Sequence, residues 1–251
     1  MPAPIALQLY TVREALARNF RAVVTRIAEI GYVGVEPAGF PGTTPDEASN
    51  LLADLGLEIC SIHTQLPLGK QKNAVIELAK ELEVTRVISG TSRESFASLD
   101  GVKEVCDRWN QACETAAEYG LELGLHNHWW EFGQVEGHSG FDLLQERLDP
   151  RIFFQVDTYW VNTGGGSAVQ VVERLGDRAP LLHIKDGPCT PEGDMTAVGE
   201  GRMDFPPIIR AAQDAAEWLI VELDRCATDM MEAVEKSYRY LTGEGLARGA
   251  R

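Results

Sequence analysis

The chain is short of positive charge, of paired cysteines and of long apolar runs, and each shortage removes a class of function. Only 23 basic residues stand against 38 acidic ones, a formal net charge of −15, so the protein as a whole repels phosphate backbones and anionic membrane surfaces. Nucleic acid is a poor partner on that ground. The five cysteines, Cys60, Cys106, Cys113, Cys189 and Cys226, are odd in number, scattered and free of any CxxC pairing, which suits reduced thiols in a cytoplasm. Cys60 and Cys226 sit in or just after apolar runs and read as buried structural thiols. No segment approaches the ~18 apolar residues of a membrane span, and MPAPIALQLYTV lacks the basic start and long apolar stretch of a leader. A cytoplasmic protein without membrane attachment is the expectation. The Gly-rich first turn of a dinucleotide site is also missing, since the first apolar run continues as QLYTVREAL. The glycines at 164–166 lack a following Lys-Ser/Thr and read as a flexible rim loop, not a phosphate cradle.

What the chain does have is a core and a repeat. Its 251 residues, 44% hydrophobic, suit one domain over 1–251 at the usual size of an α/β barrel. Short apolar runs alternate eight times with stretches at helical spacing. The runs are 5–9, 33–36, 58–63, 86–90, 122–128, 152–157, 181–186 and 218–224. The helical stretches are 19–30, 45–55, 71–83, 99–119, 140–148, 167–175, 205–216 and 229–241. Thr44 and Pro45 mark one helix start, and Gly56 and Gly120 mark stops. The final GEGLARGAR reads as a frayed tail. Alternating units of this kind predict a parallel sheet covered on both faces, and eight of them favour a closed (β/α)₈ barrel over an open doubly wound sheet.

In such a barrel chemistry occurs where the C-terminal ends of the strands converge. Polar residues end the apolar runs here repeatedly: Glu36, His63, His126 and His128, Asp157, His183 and Lys185, and Glu222. Four of the five histidines fall at these positions. Asp157, His183 and Glu222 come from three consecutive strands, so closing the barrel brings them toward one point. Carboxylate and imidazole donors suit one divalent ion, with Mn²⁺ preferred over Mg²⁺, Co²⁺ or Zn²⁺. The segment LHNHWWEF (125–132) should supply the fourth ligand. Glu131 is the first choice, because it keeps the site anionic and can double as a base, and His126 is the alternative. Trp129, Trp130, Tyr159 and Trp160 lie beside these residues in sequence and suit either a carbohydrate ring or the packing of loops against each other.

The segments HNHWWEF, VDTYW, HIKD, GEGRMDF and VELD together resemble the xylose isomerase-like TIM barrel superfamily of sugar phosphate isomerases and epimerases, over nearly the whole chain. The resemblance implies a metal held by Glu, Asp, His and Glu from the fifth to eighth strands, which transfers to Asp157, His183 and Glu222. On the fifth strand this chain has HNH, with Glu131 farther on. GEGRMDF (199–205) resembles the family's GxGxxD segment and puts Arg202 or Asp204 near the site, although Asp204 is an equally good helix cap.

The expected activity is isomerisation or epimerisation of a sugar, sugar phosphate or keto-sugar by proton transfer next to a carbonyl. Glu222 and Glu131 serve as the acid/base pair, with His128 as a further catalytic candidate. His63, His126, Lys185, Trp160, Glu36 and Arg202 contact substrate. A dehydratase or keto-glycoside lyase uses the same first step. An endonuclease IV-like phosphodiesterase is opposed by the net charge and the few histidines, and a non-catalytic sugar-binding barrel remains a rival because fold does not fix function. The expected partner is a small-molecule sugar substrate, with a homo-oligomer as a further expectation left open.

Overall fold

The computed structural model describes residues 1–212 and 214–250, so Gln213, in the expected helix 205–216, and Arg251, in the expected tail, lie outside the described residues. The strands are β1 (Ile5–Gln8), β2 (Gly34–Glu36), β3 (Glu58–Ile59), β4 (Ile62–His63), β5 (Arg86–Gly90), β6 (Glu122–His126), β7 (Gln134–Val135), β8 (His138–Ser139), β9 (Phe153–Asp157), β10 (Leu181–Ile184) and β11 (Trp218–Val221). The helices are α1 (Arg13–Ile30), α2 (Pro45–Asp54), α3 (Lys72–Glu81), α4 (Leu99–Glu118), α5 (Gly140–Arg147), α6 (Thr158–Thr163), α7 (Ala168–Leu175), α8 (Phe205–Ala212) and α9 (Met230–Gly243). The main sheet runs β3-β2-β1-β11-β10-β9-β6-β5-β4, and its assigned pairs are parallel. β3 and β4 are two halves of one strand, interrupted at Cys60 and Ser61. That strand bonds to β2 on one side and β5 on the other, which closes a (β/α)₈ barrel.

Strand periodicity sets what fills the barrel. Side chains alternate between faces, and Ala6, Cys60, Ile88, Phe153, Leu181, Trp218 and Ile220 form an apolar cluster inside the barrel, apart from the larger cluster between sheet and helices. Counting on by twos, the same inward face carries Gln8, Gln155 and Asp157, His183 and Lys185, and Glu222. The apolar floor and the polar mouth are thus successive layers of one face. Gly124 makes room for this floor, because a Cβ there would lie 2.3 Å from the Phe153 ring.

Local signals explain several boundaries. Thr44 and Glu47 form a reciprocal capping box at the start of α2, with Pro45 in its first turn. α1 begins earlier than the expected 19–30 because Asn19 marks a break within a longer helix. Its backbone is non-helical and its side-chain oxygen accepts from Ala22 N at 3.0 Å. Two elements carry too little periodicity to be read in advance, the β7–β8 hairpin and α6, a turn and a half capped by the Asp157 carboxylate. Gly164, in the expected flexible rim loop, packs closely, since a Cβ there would meet Trp129 O at 2.4 Å. All five cysteines are free, and Cys60 is buried as expected, but Cys226 is only half-buried. Among the described residues no helix is long and apolar enough to cross a membrane.

The tail corrects the reading of a frayed end. Arg248 N donates to Ala3 O at 2.8 Å, Ile5 N to Arg248 O at 3.0 Å, and Ala250 N to Gly31 O at 2.9 Å, while Ala247 is buried. The backbone there satisfies donors and acceptors at the start of β1. Truncation after Gly245 should therefore cost about 2 kcal/mol for the lost backbone bonds. A thermal melt should show a midpoint lowered by about 4–8 °C, and an unchanged midpoint would restore the frayed tail.

Candidate metal centre

Glu36 ends β2 fully buried beneath the mouth, with both carboxylate oxygens engaged. Gln8 Nε2 donates to Oε2 at 2.7 Å, and Ser61 Oγ and Gln155 Nε2 each donate to Oε1 at 2.5 Å. His183 Nε2 lies 2.7 Å from Oε2. Burial pushes this carboxyl up, but the nearby charges of His63 and His183 and the bonds from His183 and Ser61 outweigh it and hold the pKa at about 2. The sequence reading gives Glu36 to substrate. The structure corrects this, because no oxygen of a fully buried, fourfold-bonded carboxylate is left for one.

Gln155 passes the consequence on. An ionised carboxylate only accepts hydrogen bonds, so the amide nitrogen of Gln155 must face Glu36 and its Oε1 must face the other way. Oε1 then accepts from His63 Nε2 at 2.7 Å and from His126 Nδ1 at 3.0 Å. His126 thereby keeps its proton on Nδ1 and directs the bare Nε2 toward Asp157 Oδ2, 3.8 Å away. Burial, and after it the charges of His183, His128 and His63, push the His126 pKa well below its ordinary value despite Glu222. A neutral imidazole with a free lone pair is the form that binds a metal.

Asp157 is also fully buried. Its Oδ1 caps α6 by accepting from Trp160 N at 2.8 Å, and Oδ2 is left without a hydrogen bond. Lys185 Nζ lies 3.0 Å from Oδ2, in an ion pair that makes no hydrogen bond. Burial raises the Asp157 pKa against the pull of Lys185 and His183. His183 Nδ1 contacts Glu222 Oε2 at 2.7 Å. Burial disfavours its charge, but Glu36 and Glu222 raise the His183 pKa to about 10. Glu222 Oε2 also meets Lys185 Nζ at 2.8 Å, and the described contacts leave Oε1 open.

His126, Asp157, His183 and Glu222 each offer one donor atom within 4.8 Å of the others. Two imidazoles and two carboxylates, with a bare nitrogen and an unbonded buried oxygen among them, fit a divalent ion of intermediate softness. Of the residues expected as ligands, the structure brings Asp157, His183 and Glu222 together, and it places His126, the alternative on the fifth strand, beside them in place of Glu131. Glu131 follows β6 by one tight turn and its side chain folds back, so Oε1 accepts from Thr91 Oγ1 at 2.5 Å and Oε2 from His128 N at 2.8 Å. Both oxygens are buried and spoken for.

The remaining candidates divide between mouth and packing. His63 is 22% exposed and stacks on His183, with centroids 5.5 Å apart. His128, 28% exposed, stacks at 4.0 Å on Trp130, whose Nε1 donates to Thr91. Tyr159 and Trp160 are buried, so the expected sugar contact of Trp160 is corrected to packing, with Lys185 Nζ 5.3 Å from its ring centroid. Arg202 is exposed on a turn organised by Asp186, whose carboxylate accepts from the backbone of Gly187, Gly199, Gly201 and Met203. The sequence reading misses Asp186, Gln8, Ser61 and Gln155. The sequence signal for them is a polar residue in or just after an apolar run, which announces burial but names no partner.

The xylose isomerase-like TIM barrel family model matches residues 24–242. The inosose dehydratase of Klebsiella pneumoniae subsp. pneumoniae is 21% identical over 269 residues, covering 89% of each chain. The structure of a sugar phosphate isomerase/epimerase from Parabacteroides distasonis superposes with a TM-score of 0.82 and 26% identity, covering 99% of this chain and 96% of that one. An IolI protein solved with a bound zinc atom superposes with a TM-score of 0.72 and 14% identity, covering 98% of each.

The donor set ranks two substitutions. His126→Ala should weaken binding of Mn²⁺ or Zn²⁺ by at least about tenfold, whereas Glu131→Gln should leave it within about threefold, as measured by competition with a fluorescent chelator. The opposite ranking would return Glu131 to the ligand set.

Proposed function

The chain belongs to the xylose isomerase-like TIM barrel family, and from that membership and the buried donor group we propose a divalent-metal-dependent enzyme that moves a proton next to the carbonyl of a sugar or cyclic polyol ketone. The observation that carries this reading is the convergence of His126, Asp157, His183 and Glu222 at the barrel mouth. The relatives' names agree with it in substrate class. The two imidazoles favour Zn²⁺, Co²⁺ or Mn²⁺ over Mg²⁺, and the structural neighbour that carries zinc has the same fold. When bound, the ion stabilises negative charge growing on the substrate's carbonyl oxygen.

The protein's own groups do the rest. Glu222 has one carboxylate oxygen fixed by His183 and Lys185 and the other open, so it is the base we assign to the carbon-bound hydrogen. Before an ion enters, Lys185 pairs with it and offsets part of the charge of three carboxylates. His63 and His128, both partly exposed at the mouth, are placed to hydrogen-bond substrate hydroxyls. Return of the proton to carbon gives isomerisation or epimerisation. Loss of the hydroxyl from the next carbon, which takes up a proton and leaves as water, gives dehydration, a second reading that fits the relatives' names no better than the first. Both begin with the same abstraction.

Glutamine at position 222 keeps the size of the side chain and removes its basicity. Glu222→Gln should lower turnover by at least ~10²-fold, and deuterium wash-in from solvent into keto-sugar or inosose substrates should fall with it. Metal content measured on the same samples separates loss of the base from loss of the ion. Full activity with retained metal would exclude Glu222 as the base.

A further inference from the structure

Lys185 is 1% exposed, yet its ammonium faces three carboxylates. Nζ lies 2.8 Å from Asp224 Oδ2, 2.8 Å from Glu222 Oε2 and 3.0 Å from Asp157 Oδ2. These partners are not equivalent. The contact with Asp224 is a hydrogen bond, whereas the one with Asp157 leaves Oδ2 without any. Asp157 and Glu222 belong to the donor group, and Asp224 does not. Asp224 stands at the edge instead, 28% exposed, where it lines a cleft of about 420 Å³ with Thr11, Arg13 and Arg225.

The ammonium and a divalent ion draw on the same two carboxylates. A dication arriving among those oxygens repels the cation already there, and Asp157 has only Oδ2 to offer either of them, because Oδ1 caps α6. Lys185 therefore has to yield Asp157 and Glu222 when an ion enters. A buried ammonium left without a partner is costly, and its hydrogen bond already points to the one acid outside the ligand set.

We propose that Asp224 is the retreat position of Lys185: on metal entry the ammonium lets go of Asp157 and Glu222 and stays on Asp224, so that Asp224 sets metal affinity through Lys185 without being a ligand. This rests on the metal reading of the four-residue donor group. Asp224 is then a positioning residue, and Lys185 is kept on the side of the mouth that the cleft opens onto.

The test is a double-mutant cycle on the full chain with metal affinity as its readout. Wild type, Asp224→Asn, Lys185→Met and the double variant are titrated with Mn²⁺ and Zn²⁺ by chelator competition, after circular dichroism confirms the fold. Lys185→Gln replaces the methionine variant should that one not fold. Asp224→Asn should weaken binding about tenfold, the scale of a lost hydrogen bond to a charged group. Lys185→Met should bind at least as tightly as wild type, and adding Asp224→Asn to it should change affinity by less than about twofold. Unchanged affinity in Asp224→Asn overturns the proposal, and so does an equal loss in the Lys185→Met background, which would mean that Asp224 acts by its own charge. Wild type that binds neither ion would sink the metal reading itself, a result distinct from wild type that binds and a cycle that shows no coupling.

Discussion

The centre depends on one buried carboxylate. Glu36 has no exposed surface, and an ionised acid in such a place is tolerated only when its oxygens are fully hydrogen-bonded. The four groups that satisfy it come from β1, the break between β3 and β4, β9 and β10, so a single residue ties separate parts of the barrel wall together. Its charge dictates the orientation of the Gln155 amide, and that amide dictates the tautomers of His63 and His126. The lone pair His126 turns to the mouth is thus a consequence of an acid on the other side of the barrel. His183 is fixed directly, between Glu36 and Glu222.

Much of this was legible in the sequence because strands obey a period of two. Apolar residues such as Phe153, Leu181 and Trp218 mark the inward face, and Asp157, His183 and Glu222 lie farther along that face at the strand ends. Backbone periodicity says little about what happens after a strand ends. Glu131, read as a ligand because a carboxylate keeps the site anionic and can double as a base, turns away within one short helical turn and is held by Thr91. Gln8, Ser61 and Gln155 were illegible for another reason. A neutral polar residue in an apolar run announces burial, but its partner is fixed only by the closed barrel, 119 residues away in the case of Gln155 and Glu36. The tail escaped because its anchoring is by backbone groups, which carry no sequence signature.

The proposed arrangement also accounts for the dehydratase and isomerase/epimerase names among the relatives. In the proposed reading the wall residues supply a donor set and a base for the first proton transfer common to all three. The later steps depend on groups at the mouth, where His63 and His128 are partly exposed and the cleft beside Asp224 opens. The buried carboxylates Glu36, Asp157 and Glu222, facing one ammonium and the histidines, make the cluster strongly charged for its burial. That imbalance of donors is the physical argument for an ion.

The most direct test is anomalous diffraction from crystals soaked in Mn²⁺ or Zn²⁺. The account predicts one strong peak per chain, bonded to His126, Asp157, His183 and Glu222, with Glu131 still on Thr91. A peak bonded to Glu131 in place of His126, or no peak at the mouth of the barrel, would contradict it.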